Sequence, residues 1–219
     1  MQLDFISDIN KSNFSNFNYH RMDRIMVQLL WLHFLLAVIW VWFIEAFEPA
    51  LRLPGPISWR LVEKPEAWTI TAIAFGIAVV PTVLLGRLKN HYIYRLLITL
   101  AFFAYSYLYI VITGGAIEAH FHLFVSFLLL SMYYDWRLQW FGVLLTGIHH
   151  LVLNFIKPDW LFYYGENNSA VAAHVIYVIF TVAFTTWICE NGRRTVNAAA
   201  EANKKLETEL RSKIPALNK

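Results

Sequence analysis

Six apolar stretches punctuate the chain, each near the ~20 residues that a helix needs to cross a ~30 Å hydrocarbon layer. They run from Arg24 to Phe47, Glu66 to Leu85, Tyr92 to Thr113, Ala116 to Tyr134, Leu138 to Ile156 and Ser169 to Cys189. The breaks between them carry turn-forming residues: four prolines from Pro49 to Pro65, Gly86 to Asn90, Thr113-Gly114-Gly115, Asp135-Trp136-Arg137, and Lys157-Pro158 through Asn168. The third-to-fourth and fourth-to-fifth connections are very short, so helices three, four and five are expected as successive antiparallel neighbours. The pattern predicts an all-α integral membrane fold, a six-transmembrane-helix bundle.

Beyond Glu190 the pattern changes, because RRTVNAAAEANKKLETELRSK is polar and rich in helix formers. Helix six is therefore expected to continue into the cytoplasm. Val196, Ala199, Asn203, Leu206 and Leu210 alternate spacings of three and four, a short heptad seam that would suit a homodimer. A solvated tail without a partner is the alternative, and Pro215 is expected to stop the helix. The chain divides accordingly into a cytoplasmic segment (1–23), a six-helix domain (24–190) and a cytoplasmic helix or linker (191–219).

Composition supports the membrane reading. Of 219 residues, 58% are hydrophobic and 15% charged, where soluble domains run near 45–50% and ~25%. The net charge of +3 does not signal nucleic acid, because the basic residues are scattered at the ends of the apolar runs. Counted as topology signals, nine fall on one side (Lys11, Arg21, Arg24, Arg87, Lys89, Arg95, Arg137, Arg193, Arg194) and four on the other (Arg52, Arg60, Lys64, Lys157). The excess places both termini in the cytoplasm of a multi-pass protein. The first 20 residues lack the basic-then-apolar order of a cleavable signal peptide. A single cysteine, Cys189, allows no internal disulfide.

Candidate chemistry comes from histidine. Five of eight, His120, His122, His149, His150 and His174, lie in apolar spans, and the topology sets all five ~5–12 Å below the outer boundary. Polar groups at membrane depth are costly and tend to be functional, and neutral imidazole is the commonest transition-metal ligand. Helical angles divide the set. Glu118 and His122 share a face, whereas His120 points ~160–200° away, so either His120 sits outside regular helix after Gly114-Gly115 or only one of the two faces the bundle. His149 and His150 differ by ~100° and can line one groove. Thr146 and Asn154 flank His150 as polar neighbours able to orient an imidazole. This reasoning puts most weight on His122, His149 and His150, with His120 and His174 conditional. A site of three to five histidines, with Glu118 or Glu45 in support, suits copper, zinc or non-heme iron.

Blander readings stand beside this one. A single membrane histidine is usually a hydrogen-bonding partner between helices, and the tyrosines of helix three, Tyr105, Tyr107 and Tyr109, read as packing residues. His33 lies deeper, and enters only if the cofactor is heme b, as an axial ligand. His20 and His91 read as solvated.

The stretch GGAIEAHFHLFVSFLLLSMYYDWRLQWFGVLLTGIHHLVLNF resembles a bacterial membrane sensor module that precedes the output domains of chemotaxis receptors, sensor histidine kinases and diguanylate cyclases. Gly114, Gly115, Glu118, His120, His122, Asp135, Trp136, Arg137, His149 and His150 carry the resemblance, which covers about 40 residues. It implies a signal-sensing role in a bacterial inner (cytoplasmic) membrane, with a cytoplasmic output domain as partner and no enzymatic activity. The expectation is thus a lipid-embedded sensor that binds a transition metal and signals through helix six. A heme-based redox or oxygen sensor or electron-transfer protein is the alternative; a membrane metalloenzyme and a metal transporter are less favoured.

Overall fold

The computed structural model describes residues 19–47, 64–88, 90–113, 115–158, 161–162 and 168–217. Six helices account for nearly all of these: α1 (Tyr19–Phe47), α2 (Lys64–Leu84), α3 (Tyr92–Ile112), α4 (Ile117–Ser131), α5 (Trp136–Ile156) and α6 (Asn168–Leu217). No strand occurs among the described residues. Five helices are long and apolar enough to cross a membrane; α4 is apolar but has only 15 residues, about 22 Å of helix. The basic loop residues Arg52 and Arg60 and the N-terminal Lys11 lie outside the described residues.

The exterior is that of a membrane protein. Leu35, Ile73, Leu128, Leu144, Phe155 and Phe180 all face outward, Phe155 and Phe180 each 75% exposed. The interior holds a set of buried polar and charged residues, Arg95, Asp23, Thr99, Ser106, Ser126, Gln139 and four histidines among them. In lipid, apolar burial does not distinguish inside from outside, so close packing of small residues and interhelical hydrogen bonds must hold the helices together.

α3 is the hub, touching α1, α2, α4 and α5. Its tyrosines donate to backbone carbonyls of its neighbours: Tyr94 to Pro81 at 2.9 Å and Tyr105 to Ala74 at 2.6 Å on α2, and Tyr109 to His33 at 2.7 Å on α1. Ala74, Ala78 and Ala37 are buried where the backbones approach. Gly142 on α5 has the same role, since a Cβ there would lie 2.6 Å from the Phe103 ring. The expected ladder of neighbours is therefore modified, with α3 packing on both α4 and α5, and α6 lying against both α4 and α5.

Three boundaries differ from the hydropathy reading, the first being the start of α1 at Tyr19, five residues before Arg24 and inside the segment assigned to the cytoplasm. The fourth apolar stretch was expected to stay helical to Tyr134, but α4 ends at Ser131, and Tyr134 adopts φ 51°. The reason is the start of α5. Asp135 caps it, accepting from the Arg137 backbone N–H at 3.1 Å and gripping the Arg137 guanidinium at 2.9 and 3.0 Å. The aromatic-Asp-Trp-Arg sequence is thus a turn that closes on itself. At the other end, α6 runs past Pro215 to Leu217; a proline in a last turn forfeits one backbone hydrogen bond where few remain to lose. The single helix of 50 residues measures roughly 75 Å.

At the α1 and α3 ends near this turn, charges are buried together. The Arg95 guanidinium lies 4.0 Å from the centre of the Tyr19 ring and 5.2 Å from that of Tyr92. Tyr133 donates to Asp23 at 2.8 Å. Arg95 is fully buried, so it is a core residue rather than a loop charge, and removing it from the topology count leaves eight against four.

Candidate metal centre

The structure sorts the intramembrane histidines into two groups, back to back across α4. His120 faces α5 and α6. Its ring centre lies 5.9 Å from that of His150 and 5.1 Å from that of His174, and His150 and His174 are 5.6 Å apart. Three helices thus contribute one imidazole each to a triangle. His120 is in the first turn of α4 and His174 in the second turn of α6, while His150 is in the second-to-last turn of α5. The antiparallel course of the helices brings these ends to one height.

Two of the three rings are held in a defined tautomer. His120 Nδ1 lies 3.0 Å from the Ala116 carbonyl and His150 Nδ1 3.0 Å from the Thr146 carbonyl. A carbonyl only accepts, so each Nδ1 carries the proton and each Nε2 presents a lone pair. Both Nε2 atoms are buried without a hydrogen-bond partner. Such atoms cost ~1–3 kcal/mol each when left unsatisfied, and an imidazole whose far nitrogen is fixed by a carbonyl is the usual preparation of a metal ligand.

The spacing is close to that of a ligated geometry. A metal ~2.1 Å from each nitrogen sits ~3.2 Å from each ring centre, and angles of ~109–120° then separate ring centres by ~5.2–5.5 Å. The observed 5.1, 5.6 and 5.9 Å bracket that range. Among the described residues no set of three or more His, Cys, Asp or Glu side chains is converged on a common point at ligand distance. Ring-centre spacing and donor convergence therefore disagree. The spacing carries more weight for the backbone scaffold, because ring rotation re-aims a nitrogen without moving the ring centre far.

Phe162 closes the triangle. It stacks on His120 at 5.3 Å and 15°, and lies 5.3 Å from His174 and 6.3 Å from His150. Fully buried, it comes from the α5–α6 connection. An aromatic in a loop of mixed composition carries no signal in the sequence, and it was missed. His149 stands beside the triangle, 5.4 Å from His150, its ring stacked face to face on Tyr107 at 4.0 Å and 8°. Its Nε2 is likewise buried without a partner.

His122 belongs to the second group. Its ring centre is 4.8 Å from that of His33 and 4.8 Å from that of Tyr109, and its Nδ1 is 2.8 Å from Ser106 Oγ, which in turn is 3.0 Å from Ser126 Oγ. His33 Nδ1 is 2.6 Å from the Leu29 carbonyl. His122 therefore does not join His149 and His150, because two helical positions turn it to the α1 side of α4. A heme between His33 and His122 would hold their ring centres about 6 Å apart, with Fe–N bonds of ~2 Å on either side; at 4.8 Å and near-perpendicular rings the pair leaves no room for one. Thr146 orients His150 through its backbone carbonyl, not its hydroxyl, and Asn154 donates to Asn168 at 3.0 Å, tying α5 to the start of α6. Glu118 is exposed, and the Glu45 side chain lies outside the described residues.

These features describe an all-helical bundle with five helices long and apolar enough to cross a membrane and with histidines clustered at one end. The chain matches no protein-family model, no curated protein and no solved structure.

Proposed function

We propose that this chain is a six-span membrane sensor domain that binds one transition metal ion through His120, His150 and His174, with His149 beside it, and passes the state of that site to the cytoplasm through α6. The observation that carries the reading is the triangle of ring centres at ligand spacing, with two Nδ1-to-carbonyl bonds that leave the Nε2 atoms of His120 and His150 bare and buried. The donor set, all imidazole, suits copper, zinc or non-heme iron. The bound ion would supply a positive charge and open coordination positions, whereas the protein orients the rings and, with Phe162, keeps water out.

α6 suits an output role because it contributes His174 at one end and runs on as a 50-residue helix. Leu206 and Leu210 are exposed on its far part, consistent with a seam for a second copy. The likeness of the His-x-His, Asp-Trp-Arg and His-His elements to bacterial sensor modules supports the same reading. In this account α4 completes the sixth span together with the apolar Met132, Tyr133 and Tyr134, and both termini are cytoplasmic.

The test is elemental analysis of protein purified in detergent, with and without added copper or zinc. One ion per chain is expected in the parent protein, and none in the triple variant His120→Ala/His150→Ala/His174→Ala. Equal metal content in the two would overturn the assignment.

A further inference from the structure

A cavity of ≈160 Å³ opens beside the triangle, between α5 and α6. Val143, Val175, Val178 and Ile179 wall it, and it ends on His150 and His174. Thr146 is its other polar residue; no Asp, Glu, Lys or Arg lines it. Val175 and Ile179, 47% and 53% exposed, stand on the outer surface of the bundle, so the mouth faces hydrocarbon rather than water. Gly147 lines the cavity, and a Cβ there would meet nothing within 4 Å, so the position has room for a side chain.

On the metal-site reading above, we propose that the metal is reached sideways from the bilayer, through this cavity, by a small uncharged apolar ligand of the diatomic-gas class. Size and chemistry both point that way. Apolar cavities of ~150 Å³ stay dry and take up xenon or benzene. A charged or strongly hydrated solute would lose its water along apolar walls without compensation, whereas a dissolved gas loses nothing and is already concentrated in lipid. His150, whose Nε2 is buried without a partner, is one of the residues lining the cavity and marks where such a ligand would meet a coordinated ion.

The test uses copper as the probe metal, because divalent copper heads the affinity order for nitrogen sites. Protein in lipid nanodiscs is loaded with copper, reduced to Cu(I) and mixed with O2 or with ferricyanide, which stays in water. Each Cu(I) gives one electron, forming Cu(II) with superoxide in the first case and with ferrocyanide in the second, and Cu(II) is read by electron paramagnetic resonance. Gly147→Phe, which fills the cavity, should bind the parent amount of copper and slow oxidation by O2 about tenfold, the effect of ~1.4 kcal/mol added to the barrier. Ferricyanide oxidation should keep its parent rate, and Gly147→Ala should behave as parent. Ile179→Trp, at the lipid-exposed mouth, should repeat the effect without disturbing packed helices. An unchanged O2 rate in both bulky variants, or equal slowing with both oxidants, would overturn the lateral route while leaving the metal site standing. A parent protein that takes up no copper would remove the site itself, and the route with it.

Discussion

His120 and His122 are two residues apart on one helix, and the structure predicts opposite outcomes for their removal. His120→Ala deletes one corner of a triangle with sides of 5.1, 5.6 and 5.9 Å and leaves two imidazoles where there were three. If the ~10–16 kcal/mol of a four-ligand structural zinc site is shared evenly, each ligand contributes ~3 kcal/mol. At ~1.4 kcal/mol per decade, zinc binding should weaken by about 10²-fold. His122→Ala removes a ring whose neighbours are His33, Tyr109 and Ser106, none of them part of the triangle. Its effect on zinc affinity should stay within ~0.5 kcal/mol, the coupling expected between sites that share no partner. Competition against a chromophoric chelator, in detergent and at fixed pH, measures both constants. Equal losses in the two variants would mean that the histidines act as one cluster, and would refute the division of α4 into two faces.

Other consequences can be checked without metal. Gly142→Leu forces a side chain against the Phe103 and Phe127 rings; overpacking of this kind costs ~1–3 kcal/mol, and the thermal midpoint in detergent should fall. Tyr133→Phe strips Asp23 of the hydroxyl that donates to it at 2.8 Å, leaving a buried acceptor unpaired at ~1–3 kcal/mol, so the variant should unfold at lower denaturant than the parent. Asp135→Ala removes the cap of α5 and both contacts to the Arg137 guanidinium, worth ~0.5–2 kcal/mol for the cap alone; Asp135→Asn, which keeps a capping oxygen, should recover part of the loss in the same assay. Leu206→Asp/Leu210→Asp should convert a dimer to a monomer in light scattering if the exposed seam of α6 joins two copies, and an unchanged mass would refute that seam.

What the sequence revealed, and what it hid, follow from the kind of information each feature needs. The helices were legible because stretches of about 20 mainly apolar residues have few alternatives in lipid. The end of α4 was not, since the hydropathy of the stretch does not show where the helix stops, and the carboxylate of Asp135 decides where the turn begins. The opposition of His120 to His122 was legible from the ~100° advance per residue. Which neighbour each would face was not, because that depends on α3 standing between α1 and α5, an arrangement set by tyrosine hydroxyls that bond to carbonyls on other helices. His33 shows the same limit. Depth alone separated it from the outer histidines, yet α1 packs so that its ring reaches His122. Phe162 lay outside any periodic pattern.

The placement of α6 bears on how a metal could be felt on the far side of the bundle. Near its start it offers His174 to the triangle, and Asn168 receives a hydrogen bond from Asn154 of α5. Farther along, Thr185 donates to Gln139 at 3.2 Å, Cys189 contacts the Ser131 carbonyl at 3.7 Å, and Gly192 lies so close to Tyr134 that any side chain would collide with its ring. The lower contacts gather on the turn that ends α4 and begins α5, the two helices that carry His120 and His150. A ligand that draws the three imidazoles together therefore acts on α6 at one end and on its lower support at the other. A ligand shifts such an arrangement only by the difference in its affinity for the two states. At the ~3 kcal/mol assigned to one imidazole, recruiting or releasing His174 alone would change the balance of two α6 positions by about 10²-fold. Spin labels at Ala199 and Ala202, beyond the last of these contacts, should then report a metal-dependent change in distance or mobility that His174→Ala abolishes. A metal response that survives in His174→Ala would place the coupling in α4 and α5 instead.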